Sequence, residues 1–225
     1  MLKRDMFNKK IRASKAPEEI LHLDPSVRLK NNYDDCSWPN IYYDRLQTVV
    51  QICNPSTLVE IGVAYGYHAV DLLRRNQHLN YIGVDPYISN YDPNDGFSKD
   101  VEKLFNLTGQ SAMDTLYETV KTNLAQEFTG RSTLMRSSSE NIVQNFQDAS
   151  IDMIFVDGDH RYQPVLRDLN LWFPKIRSGG VISGDDWDWK QVQDAVVSFA
   201  NVNNMNIVLL KEKKNDHTLF MMVKP

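Results

Sequence analysis

Apolar and polar positions follow two rhythms along this chain. Short apolar runs at 57–61, 81–85, 131–136, 151–157 and 181–183 are bounded by glycine, proline or charged residues, and they predict buried strands. Between them, apolar residues recur at spacings of three and four, which predicts helices. These helices are expected across 40–53, 67–75, 111–127, 140–146, 164–175 and 190–201. The first carries Ile41, Leu46, Val49, Val50 and Cys53, and Asn54-Pro55-Ser56 stops it. Two further strands, 207–210 and 218–223, close the chain. Too few residues separate them for a crossover helix, so they are expected to pair antiparallel. Residues 86–110 read as an irregular loop or lid, with Pro93, Gly96 and several Asn and Asp. Residues 1 to about 37 are polar and broken by Pro17 and Pro25.

Alternating strands and helices imply a parallel sheet covered on both faces. The expected fold is α/β: a doubly wound, mostly parallel seven-stranded sheet with one antiparallel strand and an N-terminal helical extension. The domain would span 40–225, with 1–39 as an extension or lid. Right-handed crossovers put the functional loops at the carboxyl ends of the strands.

Composition narrows the function. The 225 residues are 42% hydrophobic and 24% charged, the balance of a soluble domain, and the net charge is -4. That balance argues against a nucleic-acid partner. No apolar run is long enough to span a bilayer. The basic start (Lys3, Arg4, Lys9, Lys10, Arg12, Lys15) lacks the apolar segment of a signal peptide. Cys36 and Cys53 form no metal-ligand spacing, so a reducing, cytoplasmic setting is expected. Association into homo-oligomers stays open.

The first apolar run ends Glu60-Ile61-Gly62-Val63-Ala64-Tyr65-Gly66, spaced E-x-G-x-x-x-G before a helix. Glycine at a strand-to-helix turn lets the backbone approach a ligand closely. The G-x-G-x-x-G loop that cradles a pyrophosphate is absent, which disfavours a dinucleotide. Asp85 ends the next strand, where a carboxylate can accept both ribose hydroxyls. Ser138-Ser139-Glu140 follows the third strand. It can bond an adenine amino group or simply cap a short helix.

This segment resembles motif I of class I methyltransferases that use S-adenosylmethionine. The resemblance covers about 40–225. It implies that the loop of Glu60, Gly62, Ala64, Tyr65 and Gly66 surrounds the methionine end, with Asp157 beside it. It further implies that Asp85 holds the ribose and that Ser138, Ser139 and Glu140 reach the adenine. Many relatives carry a third glycine where this chain has Ala64.

Two later strands end Asp157-Gly158-Asp159-His160 and Asp185-Asp186-Trp187. Four carboxylates in one crevice repel one another, and a divalent cation relieves that repulsion. Oxygen donors of this kind suit magnesium, manganese or calcium rather than zinc. Helix capping is the plainer alternative for single members. The run from Asp157 to Asp186 is similar to metal-dependent O-methyltransferases of sugars and natural products, and more remotely to the catechol type. That similarity implies Asp157, Asp185 and Asp186 as metal ligands, and Asp159 as the base, with His160 as a second candidate. Tyr65, Tyr67, Tyr162, Trp187 and Trp189 are candidates for an aromatic platform, and 31–43 for a cover. The expected function is methylation of a small-molecule hydroxyl, with S-adenosylmethionine and a divalent cation (Mg or Mn) as cofactors. Cephalosporin-hydroxylase-like proteins share a similar sheet and acidic cluster, so an oxygenase is the rival, and a non-catalytic nucleoside-binding protein the third reading.

Overall fold

Every apolar run of the sequence becomes a strand. The computed structural model describes residues 18–22, 41–92, 96–211 and 218–225. The expected strands are β2 (Thr57–Ile61), β3 (Asn80–Val84), β4 (Ser132–Met135), β5 (Ile151–Val156), β6 (Ile176–Gly184), β7 (Ile207–Lys211) and β8 (Thr218–Val223). The helices among the described residues are α1 (Ile41–Cys53), α2 (Tyr67–Arg75), α3 (Phe97–Phe105), α4 (Gln110–Glu127), α5 (Ser139–Ile142), α6 (Tyr162–Trp172) and α7 (Lys190–Val202).

Three features depart from expectation. The N-terminal stretch contributes a strand, β1 (Glu18–His22), which makes the sheet eight-stranded. It pairs parallel with β7 at an edge, far along the chain, and its two glutamates gave no alternating signal. The rest of 1–39 lies outside the described residues, so neither a lid nor a helical segment there is assigned. Second, part of 86–110 is helical. In α3, Val101 is buried and Phe97 and Phe105 pack on the same core, a spacing of four that the surrounding turn residues mask. Third, β6 begins at Ile176, so the Gly179-Gly180 turn falls inside it and shifts its register against β5.

The sheet order is β1-β7-β8-β6-β5-β2-β3-β4, and β8 alone runs antiparallel to its neighbours. Helices cover both faces. Along each strand the period of two divides the residues between two cores. Leu58, Met153 and Phe155 join the core under α1 to α4, whereas Val59, Ile61, Ile154 and Val156 join the core under α6 and α7. No described helix is long and apolar enough to cross a membrane.

β2 pairs with β3 on one side and β5 on the other, so successive connections leave it in opposite directions. This switch point opens a crevice outside the carboxyl ends of β2, β5 and β6.

Candidate active site

The turn after β2 is pressed against the end of β5. Gly62 has φ of 88°, in the left-handed region. A Cβ placed there would lie 2.1 Å from the carbonyl oxygen of Asp157. Gly66, with φ of 74°, starts α2 and donates its N–H to the Val63 carbonyl at 2.8 Å. The turn is therefore tight, and its glycines are required by geometry.

Ala64 also has positive φ, 48°. A Cβ in this conformation costs about 1–2 kcal/mol. The surroundings hold it there: its N–H donates to Asp85 Oδ2 at 3.0 Å, and its carbonyl accepts from the Tyr87 hydroxyl at 3.0 Å. Asp85 Oδ2 also accepts from Val63 N–H, and Oδ1 from Tyr87 N–H. Asp85 thus shapes the glycine turn. Burial raises its pKa, against the pull of these three backbone donors. The Tyr65 ring stacks on Tyr67 and meets Phe97 edge-on, tying the turn to α3.

Glu60 shares the strand parity of Leu58, so its side chain enters the core under α2 rather than the open crevice. It is 1% exposed. His68 Nδ1 lies 2.8 Å from one oxygen, and the Tyr81 hydroxyl donates to the other. His68 also lies 3.6 Å from Asp157 Oδ2. Burial alone would lower the His68 pKa. The bond to Glu60, and the charges of Glu60, Asp157 and Asp185, raise it instead to about 9. His68 is therefore an imidazolium between two carboxylates at neutral pH. Sequence reading passed over it. The available signal was its place one turn past Gly66, facing the Glu60 side of β2.

The third loop divides its duties. Ser139 Oγ accepts from the Trp172 indole at 2.7 Å and is buried. Glu140 pairs with Arg167 at 3.0 Å. Both are thereby turned to structural contacts, because α5 carries them toward α6. Ser138, at the start of α5, keeps its hydroxyl buried with no protein partner among the described residues. It is the member of the trio left able to bond a ligand.

The acidic strand ends meet as expected, but with different partners. Asp157, His160 and Asp186 each offer a donor atom within 4.8 Å of the other two. His160 Nε2 lies 2.9 Å from Asp186 Oδ2 and 4.0 Å from Asp157 Oδ1. Burial disfavours the His160 cation, yet its bonds to Asp157 and Asp186 raise its pKa to about 10. The Asp157 carboxyl is raised to about 7, first by burial and then by Asp185 and Asp186, against the pull of both histidines. Asp186 has φ of 56°, a left-handed conformation at the edge of the site.

Asp185 is 2% exposed and stands outside this trio. Its charge acts on His68 and Asp157 from the interior. Of the expected set, Asp157 and Asp186 join His160 in one cluster of donor atoms. Asp185 lies deeper, with both carboxylate oxygens buried and its charge acting on Asp157. Carboxylates beside an imidazole suit a divalent ion.

Asp159 is bound by Arg161 through its guanidinium and its N–H. Burial pushes the Asp159 carboxyl up, but these bonds hold it below the usual carboxylate range. Arg161 also reaches Tyr91 O at 3.4 Å and Asp92 at 3.7 Å, linking the loop after β3 to the site. Of the aromatic candidates, Trp187 is core and Tyr162 is bonded to Ser198. Trp189 is 55% exposed, with its ring 4.9 Å from that of His160. Residues 31–40 lie outside the described residues.

Residues 59–187, more than half of the chain, match the model of a methyltransferase domain family. An uncharacterised protein of Acanthamoeba polyphaga mimivirus is 32% identical over 149 residues, covering 62% of this chain and 57% of that protein. The chain thus spans little more than half of that relative's length. The O-methyltransferase from Bacillus cereus, solved with SAH, superposes with a TM-score of 0.58 at 14% identity, over all of this chain and 91% of its own. The O-methyltransferase TomG from Streptomyces achromogenes, solved with SAM, gives 0.56 at 14% identity, over 85% and 83% of the two chains. At such identities these structures speak for the fold. Together with the family match and the glycine turn on Asp157, they establish that the chain belongs to the class I methyltransferase family.

Proposed function

We propose that this chain transfers a methyl group from S-adenosylmethionine to a hydroxyl of a sugar or small natural product, with help from a divalent cation. The observation that carries the reading is a meeting at one switch point. The glycine turn presses on the Asp157 backbone, and the Asp157 side chain joins His160 and Asp186. Cofactor turn and donor cluster are thus built on a single residue.

S-adenosylmethionine supplies a methyl group on a sulfonium, and a cation makes the acceptor hydroxyl more acidic. The protein's task is to place donor and acceptor in line and to take up the proton. The turn 62–66, shaped by Asp85, would hold the methionine end, and the Ser138 hydroxyl would bond the adenine. Asp159 would take the hydroxyl proton as the methyl group moves from the sulfonium sulfur to the acceptor oxygen. Arg161 keeps Asp159 ionised, so an acceptor is always present at neutral pH. An open groove of about 600 Å³ is lined by Arg161, Tyr162, Gln163, Pro164, Arg167 and Gln191. Its size suits a small molecule.

The test is a panel of sugars and catechols with labelled S-adenosylmethionine, with Mg²⁺, Mn²⁺ or EDTA. Label is expected in at least one hydroxylated acceptor, and EDTA is expected to remove it. Turnover that survives EDTA would end the cation half of the proposal. Iron-dependent hydroxylation in its place would favour an oxygenase.

A further inference from the structure

Among the aromatic side chains near the acidic strand ends, one stays open. We infer that Trp189 is the platform on which the acceptor lies, so that the acceptor is a hydroxylated six-membered ring with an apolar face. This inference deepens the function proposed above and rests on it for the reaction.

Three observations converge on Trp189. The first is burial. Trp172 and Trp187 belong to the core, and the Trp172 indole N–H donates to Ser139 Oγ. Trp189 is 55% exposed, and among the described residues its indole N–H meets no protein acceptor. An open indole offers an apolar face and a hydrogen-bond donor together, which suits a ring that carries hydroxyls. The second is position. The Trp189 ring lies 4.9 Å from that of His160, tilted by 58°. His160 Nε2 lies 2.9 Å from Asp186, so the platform stands one side chain away from the acidic cluster. The third is rigidity. Trp189 N–H donates to the Asp186 carbonyl at 2.8 Å, and its own carbonyl accepts from Gln193 N–H at 3.0 Å. These bonds fix it at the start of α7. Two positions on, Gln191 Oε1 accepts from Tyr162 N–H at 3.1 Å and lines the groove with Arg161. The starts of α6 and α7 are thereby tied, which holds platform and groove in one frame.

The chemistry is that of packing. A ring laid flat on the indole buries its apolar face and keeps the hydroxyls at its rim free for the acidic cluster. A catechol and a pyranose share that shape. An open-chain polyol has no face to lay down, and it loses more rotational freedom on binding. Trp189 therefore selects the acceptor by shape, and its contribution falls on binding rather than on the transfer step.

The test titrates the ¹⁵N-labelled full chain, with Mg²⁺ and S-adenosylhomocysteine present, with catechol, methyl α-D-glucopyranoside or sorbitol. Indole N–H resonances are followed by NMR, and Trp189→Phe identifies the Trp189 signal by its loss. That signal is expected to shift and saturate with at least one ring probe and to stay in place with sorbitol. A shift with catechol alone assigns an aromatic acceptor, and with the glucoside alone a sugar. Trp189→Ala should bind the same probe about tenfold more weakly, and Trp189→Phe should recover most of the loss. In methyl transfer, Trp189→Ala should raise the acceptor KM about tenfold, with kcat changed far less. No shift with either ring, an equal shift with sorbitol, or unchanged affinity in Trp189→Ala would overturn the inference. A ring bound on Trp189 but never methylated would overturn the proposed function and leave the platform standing. Methyl transfer undiminished in Trp189→Ala would do the reverse.

Discussion

Asp157→Ala is expected to lower metal-dependent methyl transfer by about 10³-fold or more, the loss of several kcal/mol of stabilisation at the reacting oxygen. Asp157 is the carboxylate that lies near both His68 and His160. Its removal takes a ligand from the cation and leaves the His68 and His160 imidazoliums with one partner fewer. Binding of S-adenosylmethionine should change only a few-fold. The contact that seats the cofactor turn uses the Asp157 backbone, whose N–H donates to the Ile61 carbonyl at 2.8 Å. Steady-state turnover with Mn²⁺, set beside calorimetry with S-adenosylmethionine, separates the two. Equal loss of both would show that the Asp157 carboxylate holds the cofactor instead.

The opposite pattern is expected at Gly62. In Gly62→Ala the new Cβ meets the Asp157 carbonyl oxygen and carbon at 2.1 and 2.5 Å and Gly158 Cα at 2.6 Å. All three atoms are backbone, so nothing can rotate away. Relief requires the ends of β2 and β5 to part by the better part of an ångström. Overpacking of this kind costs about 1–3 kcal/mol, and the left-handed backbone adds about 1–2 kcal/mol. Stability should fall by about 2–5 kcal/mol, read by urea unfolding. Cofactor binding should collapse with it, because the turn and the Asp157 loop move together. A shift of that size also costs about 10²-fold in turnover in what still binds. A variant that unfolds and binds like the wild type would show that the turn is looser than described.

These two residues also mark how far the sequence could be read. Gly62 and Asp157 announce themselves, because a strand-ending glycine and a strand-ending aspartate have few other reasons to stand there. The strands followed from apolar runs, and β8 turned back as its short link to β7 required. Side-chain direction at strand ends was harder to see. Glu60 looked like a ligand contact, but the alternation that buries Leu58 under α2 buries Glu60 there as well. Asp185 and Asp186 are neighbours in sequence, yet only Asp186 reaches the donor trio, while Asp185 stays enclosed. Ser139 and Glu140 were drawn off by Trp172 and Arg167, partners on α6 more than twenty positions away. Local pattern carries no record of such pairings. His68 and Arg161 were missed for the same reason, since each acts by meeting a carboxylate that another strand end supplies. β1 shows the limit for the fold: a strand whose only described partner is β7, nearly the whole chain away.

The central claim is that the turn from Gly62 to Gly66 receives S-adenosylmethionine. Calorimetric titration of the full chain with S-adenosylmethionine tests it most directly. One binding site per chain is expected, saturating at micromolar concentrations and lost in Gly62→Ala. No heat of binding up to millimolar cofactor, from a chain that is folded by circular dichroism, would contradict it.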